Sequence, residues 1–204
     1  MAYSDFSLKD LDTKFGIQDE RVRLFSSLPI ADVQPTKWLL NELEESDEIP
    51  NLSEKSKSEL MISPIFKELW RNSNKSFNLF SGYTFDVDKK QGLTGICDYL
   101  LTQKPRTSII KSPVFCAVEA KSRAIEEGTG QAGAEMLAAQ IFNEREGNPT
   151  PIVFGCVTNG IDWGFLKLEN QKISVDIDRY YSDKLTLHKL LGVLQYIADF
   201  YKIK

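Results

Sequence analysis

A single histidine, His188, occurs in the 204 residues, and its place among leucines near the C-terminus reads as structural. Chemistry built on a histidine base or on a two-histidine metal site is thereby disfavoured. The three cysteines, Cys97, Cys116 and Cys156, each sit in an apolar run, without the paired spacing of a zinc site or a disulfide framework. An odd number of buried-looking thiols fits a reducing compartment. No stretch approaches the roughly 20 apolar residues that cross a bilayer, and the first residues lack the apolar region of a signal peptide. A cytoplasmic protein without a membrane partner is expected. Positive charge is not in excess either: 25 Lys and Arg against 29 Asp and Glu leave a net charge of −4, which argues mildly against tight nonspecific binding to nucleic acid. Averages hide faces, however. Lys104, Arg106 and Lys111 cluster before one apolar run, and Lys121 and Arg123 follow its end.

What is present is an ordinary globular composition, 42% hydrophobic and 26% charged, with length for a single domain over 1–204. Residues 1–50 read as a helical extension with acidic surfaces, with helices over Leu8–Phe15 and Pro35–Glu45. A further helix is predicted from Ser53 or Ser56 to Trp70, with Pro64 marking a kink or local irregularity. The pattern then turns extended. Phe77–Val87 alternates at a period of two, Asp88–Gly92 supplies turn chemistry, and Leu93–Leu101 pairs back as a hairpin. Val114–Lys121 is apolar almost throughout, as in a strand buried on both faces. Gly128–Gly130 reads as a flexible connection to a helix over Gln131–Arg145. Strands follow at Pro151–Thr158, Trp163–Leu168 and Ile173–Ile177, with turns at Asn159-Gly160 and Asn170-Gln171. A C-terminal helix, Leu185–Tyr201, occupies the last segment, 185–204. The order predicts an α/β (α+β-like) fold: a mixed central β-sheet flanked by helices, with its core over 53–177.

The chemistry concentrates at Val118-Glu119-Ala120-Lys121. Strand alternation puts Glu119 and Lys121 on one face and Ala120 on the other. Two opposite charges ending a buried strand are costly unless they pair or bind something; a solvent-facing ion pair is the plainer alternative. Asp98 interrupts the apolar run around Gly95–Leu101, and a buried aspartate wants a cation or several donors. If the two strands are neighbours, Asp98 and Glu119 converge on a divalent cation such as magnesium, which prefers carboxylate oxygens. Lys121 is then placed to stabilise phosphate charge or to acidify an attacking water. The three residue types suit phosphodiester hydrolysis.

Gly95–Leu101 followed by Val118-Glu119-Ala120-Lys121 resembles the motif of the PD-(D/E)XK, or restriction-endonuclease-like, nucleases, in which an aspartate is followed, after a variable gap, by a Glu-X-Lys strand. No proline precedes Asp98, a position that varies in the superfamily. The resemblance covers roughly Glu59–Leu168. It implies a restriction-endonuclease-like core and a Mg2+-dependent nuclease, with Mn2+ as an alternative cation, acting on nucleic acid and on DNA above all. Asp98, Glu119, Lys121 and Gln131 take catalytic positions, and Glu59, Asp98, Glu119 and Ala120 the metal-binding ones. Glu59 has a second reading, as the end of a capping box Ser56-Lys57-Ser58-Glu59. Gln131 and Glu135, one turn apart, also read as an ordinary polar helix start. Two alternatives to a nuclease stand beside it: a catalytically inactive protein of the same fold serving as a binding or assembly module, and a homodimer formed through the acidic N-terminal helices.

Overall fold

Buried apolar strands and amphipathic helices alternate along the chain, and they assemble into one sheet with a helical layer on each face. The computed structural model describes residues 1–103 and 106–202; Lys104 and Pro105, expected in the basic cluster and its loop, lie outside the described residues. The elements are α1 (Leu8–Phe15), β1 (Gln18–Val22), α2 (Lys37–Glu48), α3 (Glu54–Lys57), α4 (Ser63–Asn72), β2 (Asn78–Thr84), β3 (Ile96–Thr102), β4 (Val114–Ala120), α5 (Thr129–Arg145), β5 (Ile152–Thr158), β6 (Asp162–Glu169), β7 (Lys172–Asp176), β8 (Tyr180–Tyr181) and α6 (Leu187–Phe200). The sheet runs β1-β7-β6-β5-β4-β3-β2, with β8 pairing β6. Strands β2–β3, β3–β4, β5–β6 and β6–β7 pair antiparallel, while β4–β5 and β1–β7 pair parallel. It is a mixed α/β sheet flanked by helices, as the segment order predicts.

On one face α1 and α5 bury Leu11, Ala132, Ala138 and their neighbours against Leu100, Ala117 and Val157. On the other, α2, α4 and α6 bury Leu39, Phe66, Leu69 and Leu190 against Tyr99, Phe115, Val118 and Phe165. β4 lies between them and is buried along its whole length, which is why its sequence carries no polar–apolar alternation. The turns form where the sequence marks them. Asn159 Oδ1 accepts from the N–H groups of Ile161 and Asp162, and Asn170 and Gln171 both take positive φ between β6 and β7.

Several expectations need correction. Residues 1–50 are not an extension: β1 pairs with β7, and Tyr3, Phe6, Leu11 and Ile17 belong to the central core. The sequence of β1, Gln-Asp-Glu-Arg-Val, carries no apolar stripe because it is an edge strand. The Gly128–Gly130 segment is not a flexible connection; a 3-10 turn over Ile125–Gly128 runs directly into α5. A Cβ on Gly130 would overlap the Phe6 carbonyl oxygen and crowd the Ser7 Cα, so the N-terminal segment packs on bare helix backbone. Gly130→Ala is expected to cost about 2 kcal/mol, read as a lower midpoint in chemical denaturation with an unchanged slope. No helix among the described residues is long and apolar enough to cross a membrane.

Candidate metal centre at the ends of strands β3 and β4

The register that sets Tyr99 opposite Val118 brings Asp98 alongside the last residues of β4. There the Ala120 N–H donates to Asp98 Oδ2 at 2.7 Å. Alternation turns Glu119 and Lys121 toward the α5 layer, where the Lys121 Nζ donates to Glu119 Oε1 at 2.6 Å and to Gln131 Oε1 at 3.1 Å. Gln131 Nε2 in turn donates to Glu135 Oε1 at 3.2 Å. Gly128 makes room for this row: a Cβ there would stand 2.6 Å from Val157 Cγ1 and 3.1 Å from Lys121 Cε.

A third carboxylate arrives from the opposite layer. Ser53 caps the helical segment, its Oγ accepting from the Ser56 N–H at 3.0 Å, so the first helical residue is Glu54. The segment bends through a π turn at Ser58–Ile62, in which the Ser63 N–H reaches back to the Ser58 carbonyl; Pro64 follows at once, with no N–H for the ladder. This is the irregularity expected at Pro64. Tyr99 holds the turn to the sheet, its hydroxyl donating to the Ser58 carbonyl at 2.9 Å, and Lys57 Nζ donates to the Ser122 carbonyl at 2.7 Å. So held, Glu54, Asp98 and Glu119 each offer a carboxylate oxygen, all within 4.8 Å of one another. Two of the three, Glu54 and Asp98, line a groove of about 520 Å³ between the α3–α4 segment and β2–β3, together with Ser58, Lys67 and Ser81 among others.

Electrostatics at this point are strained by burial. Glu119 is 2% exposed, and burial together with the nearby Asp98 pushes its carboxyl up to about 7, against the pull of Lys121. Burial likewise lifts Asp98 above the usual carboxylate range, with Glu54 adding to the effect and the Ala120 N–H opposing it. Glu135 is fully buried, and burial plus the Glu119 charge hold it well above that range. Burial disfavours the Lys121 ammonium, but the bond to Glu119 and the surrounding carboxylates outweigh it and raise its pKa. Glu119 Oε2 and Glu135 Oε2 receive no N–H or hydroxyl; the two carboxyls lie within hydrogen-bonding reach of each other, and a protonated Glu135 donates to Glu119.

Of the residues singled out in the sequence, Asp98, Glu119, Lys121 and Gln131 meet here. Glu59 does not join the carboxylate cluster. Its side chain is 64% exposed, 3.8 Å from Lys55, and it lines the groove without joining the three carboxylates. Nor does it end a capping box, because the box is Ser53 with Ser56. Glu54 takes the place expected of Glu59; the one signal for it was the Ser53 helix start, which puts Glu54 in the first turn. Ala120 contributes its N–H to Asp98, while its methyl is buried on the far face. Glu135 is no polar helix start but a buried acid. The basic residues do not form one face: Arg106 and Lys111 lie at the opposite end of β4 from Lys121, about 20 Å away by strand rise. His188 sits on α6, 3.8 Å from Asp32. Comparison with protein-family models, with curated proteins and with solved structures finds no match.

Proposed function

We propose that the protein is a divalent-cation-dependent nuclease that hydrolyses phosphodiester bonds of nucleic acid, DNA foremost, with a site of the PD-(D/E)XK kind. One observation carries the reading. Glu54, Asp98 and the buried Glu119 present carboxylate oxygens within 4.8 Å of one another. Carboxylates gathered this closely repel one another, and a cation among the three offsets that repulsion. The donors are all hard oxygens, which favours Mg2+ or Mn2+ over softer metals.

Glu54, Asp98 and Glu119 would hold the cation. When bound, it supplies Lewis acidity toward a phosphoryl oxygen and lowers the pKa of water. Lys121, kept protonated by its carboxylate neighbours, places a fixed positive charge where negative charge builds on the phosphoryl group. Gln131 anchors that ammonium from the helix side. The Ala120 N–H orients Asp98 and leaves its other oxygen available. The groove beside the cluster carries the Lys55 and Lys67 ammonium groups and the hydroxyls of Ser58, Ser63 and Ser81 alongside Tyr99 and the carboxylates of Glu54, Glu59 and Asp98, a polar lining in which the two lysines can meet phosphates. Three buried free thiols fit a cytoplasmic setting.

A second reading, an inactive binding or assembly module of the same fold, draws support from the net charge of −4 and the divided basic residues. Two measurements on the purified protein separate them. Calorimetry with Mg2+ and Mn2+ is expected to show one saturable site. Labelled single- and double-stranded oligonucleotides are expected to be cut only when cation is supplied. No cation binding, or binding without cleavage of any DNA or RNA, ends the nuclease reading.

A further inference from the structure

We propose that Glu135 is a positioning residue for this site: through Gln131 it holds the Lys121 ammonium against Glu119. The kinetic side of this role presupposes the hydrolysis proposed above; the geometric side does not.

The hydrogen-bond inventory fixes the direction of the chain of contacts. Lys121 Nζ carries three N–H groups and no acceptor, so the Gln131 atom 3.1 Å from it is the carbonyl oxygen. That orientation turns the Gln131 amide NH2 inward, where an acceptor must meet it, and Glu135 Oε1 lies there at 3.2 Å. With no acceptor at position 135, the amide loses its reason to point its oxygen outward; flipped, it would set N–H against N–H. Gln131 and Glu135 are one turn apart on α5 and share a face. Glu135 is 0% exposed, so no bulk water can replace it.

Burial of this carboxyl is otherwise unexplained. The remaining buried side chains of α5 are apolar except Asn143, whose amide is spent on the Val114 backbone and Thr150. Glu135 instead accepts from Gln131 on one oxygen and sets its carboxyl against Glu119. The helix that carries it cannot drift, because α5 is pressed between the sheet and the N-terminal backbone at Gly130. A small error at Gln131 would therefore pass to Lys121 and not be absorbed by the scaffold.

The test compares Glu135→Gln with Glu135→Met. Glutamine keeps an oxygen for the Gln131 amide and offers Glu119 an N–H in place of the acid proton. Methionine keeps the volume and removes the acceptor. In the wild type and in E135Q, the Gln131 side-chain amide is expected to exchange slowly by proton–nitrogen NMR, with kcat for cation-dependent oligonucleotide cleavage agreeing to about twofold. In E135M, exchange is expected to quicken and kcat to fall about tenfold while KM holds, a size usual for residues supporting a metal site. Gln131→Met, which removes the middle link without touching the buried acid, is expected to reproduce the fall if E135M folds poorly. An E135M protein with unaltered amide exchange and kcat overturns the proposal, as does E135Q being impaired as much as E135M. A wild type that cleaves nothing, yet whose Gln131 amide is freed in E135M, defeats the nuclease reading and leaves the positioning role standing.

Discussion

Glu119→Gln and Asp98→Asn are each expected to weaken Mg2+ or Mn2+ binding by at least about tenfold and to lower kcat by at least about 100-fold. The reason is local. Each change replaces a charged oxygen with an amide of nearly the same shape, so Asp98 and Glu119 keep their volumes in a tightly packed corner while the cation loses charge. Lys121→Met separates binding from chemistry: cation affinity is expected to hold or rise, because a competing positive charge is gone, while kcat falls by about 100-fold or more. Calorimetry and single-turnover cleavage read the two effects independently. Wild-type cation affinity in both carboxylate variants would show that the ion is held elsewhere, and an active K121M would remove the ammonium from the chemistry.

The cation-free protein is expected to lose stability as the pH rises from about 4.5 to about 7. Glu119 titrates near 7 in the folded chain against an ordinary value of 4.5. Between those values the folded state holds a proton that the unfolded state has released, so raising the pH favours unfolding. Asp98 and Glu135 are displaced in the same direction. The carboxylates displaced downward, such as Asp10, Asp86 and Asp183, lie on the surface, and their contribution is complete above pH 4.5. For Glu119 alone the loss amounts to about 3 kcal/mol, or roughly 6–12 °C in Tm for a chain of this size. Added Mg2+ reverses the slope, because cation and proton compete for the same carboxylates. Glu119→Gln is expected to flatten the cation-free slope. A wild-type Tm that does not change across this range would mean that Glu119 is ionised in the folded protein.

Most of the sheet was legible because burial writes itself into strands. Val114–Ala120 and Ile152–Thr158 are apolar runs bounded by turn residues, and the Asn159-Gly160 and Asn170-Gln171 turns carry the residues that tolerate positive φ. β1 was not legible. It packs one edge on β7 and shows water the other, so its residues answer to solvent and not to a core. The site divides in the same way. Asp98, Glu119 and Lys121 stand out because charge in a buried strand is a local anomaly. Glu54 does not, since an acid in a first helical turn is ordinary, and only the three-dimensional path of the α3–α4 segment brings it to the strand ends. Glu135 was obscured by its neighbourhood: the small residues around it resemble a surface helix start, whereas they mark close packing against the N-terminal segment.

The pairing of β1 with β7 also has a kinetic side. Lys172 reaches Glu20, 152 positions away along the chain, and β1 leaves the ribosome long before its partner strand exists. Strand pairs of such separation close late, because the loop entropy must be met before their contacts form. Until then Phe6, Leu11 and the bare backbone at Gly130 lack their final cover, and α5 has no lid. The helix that carries Gln131 and Glu135 is therefore expected to gain the cover of the N-terminal segment late in folding.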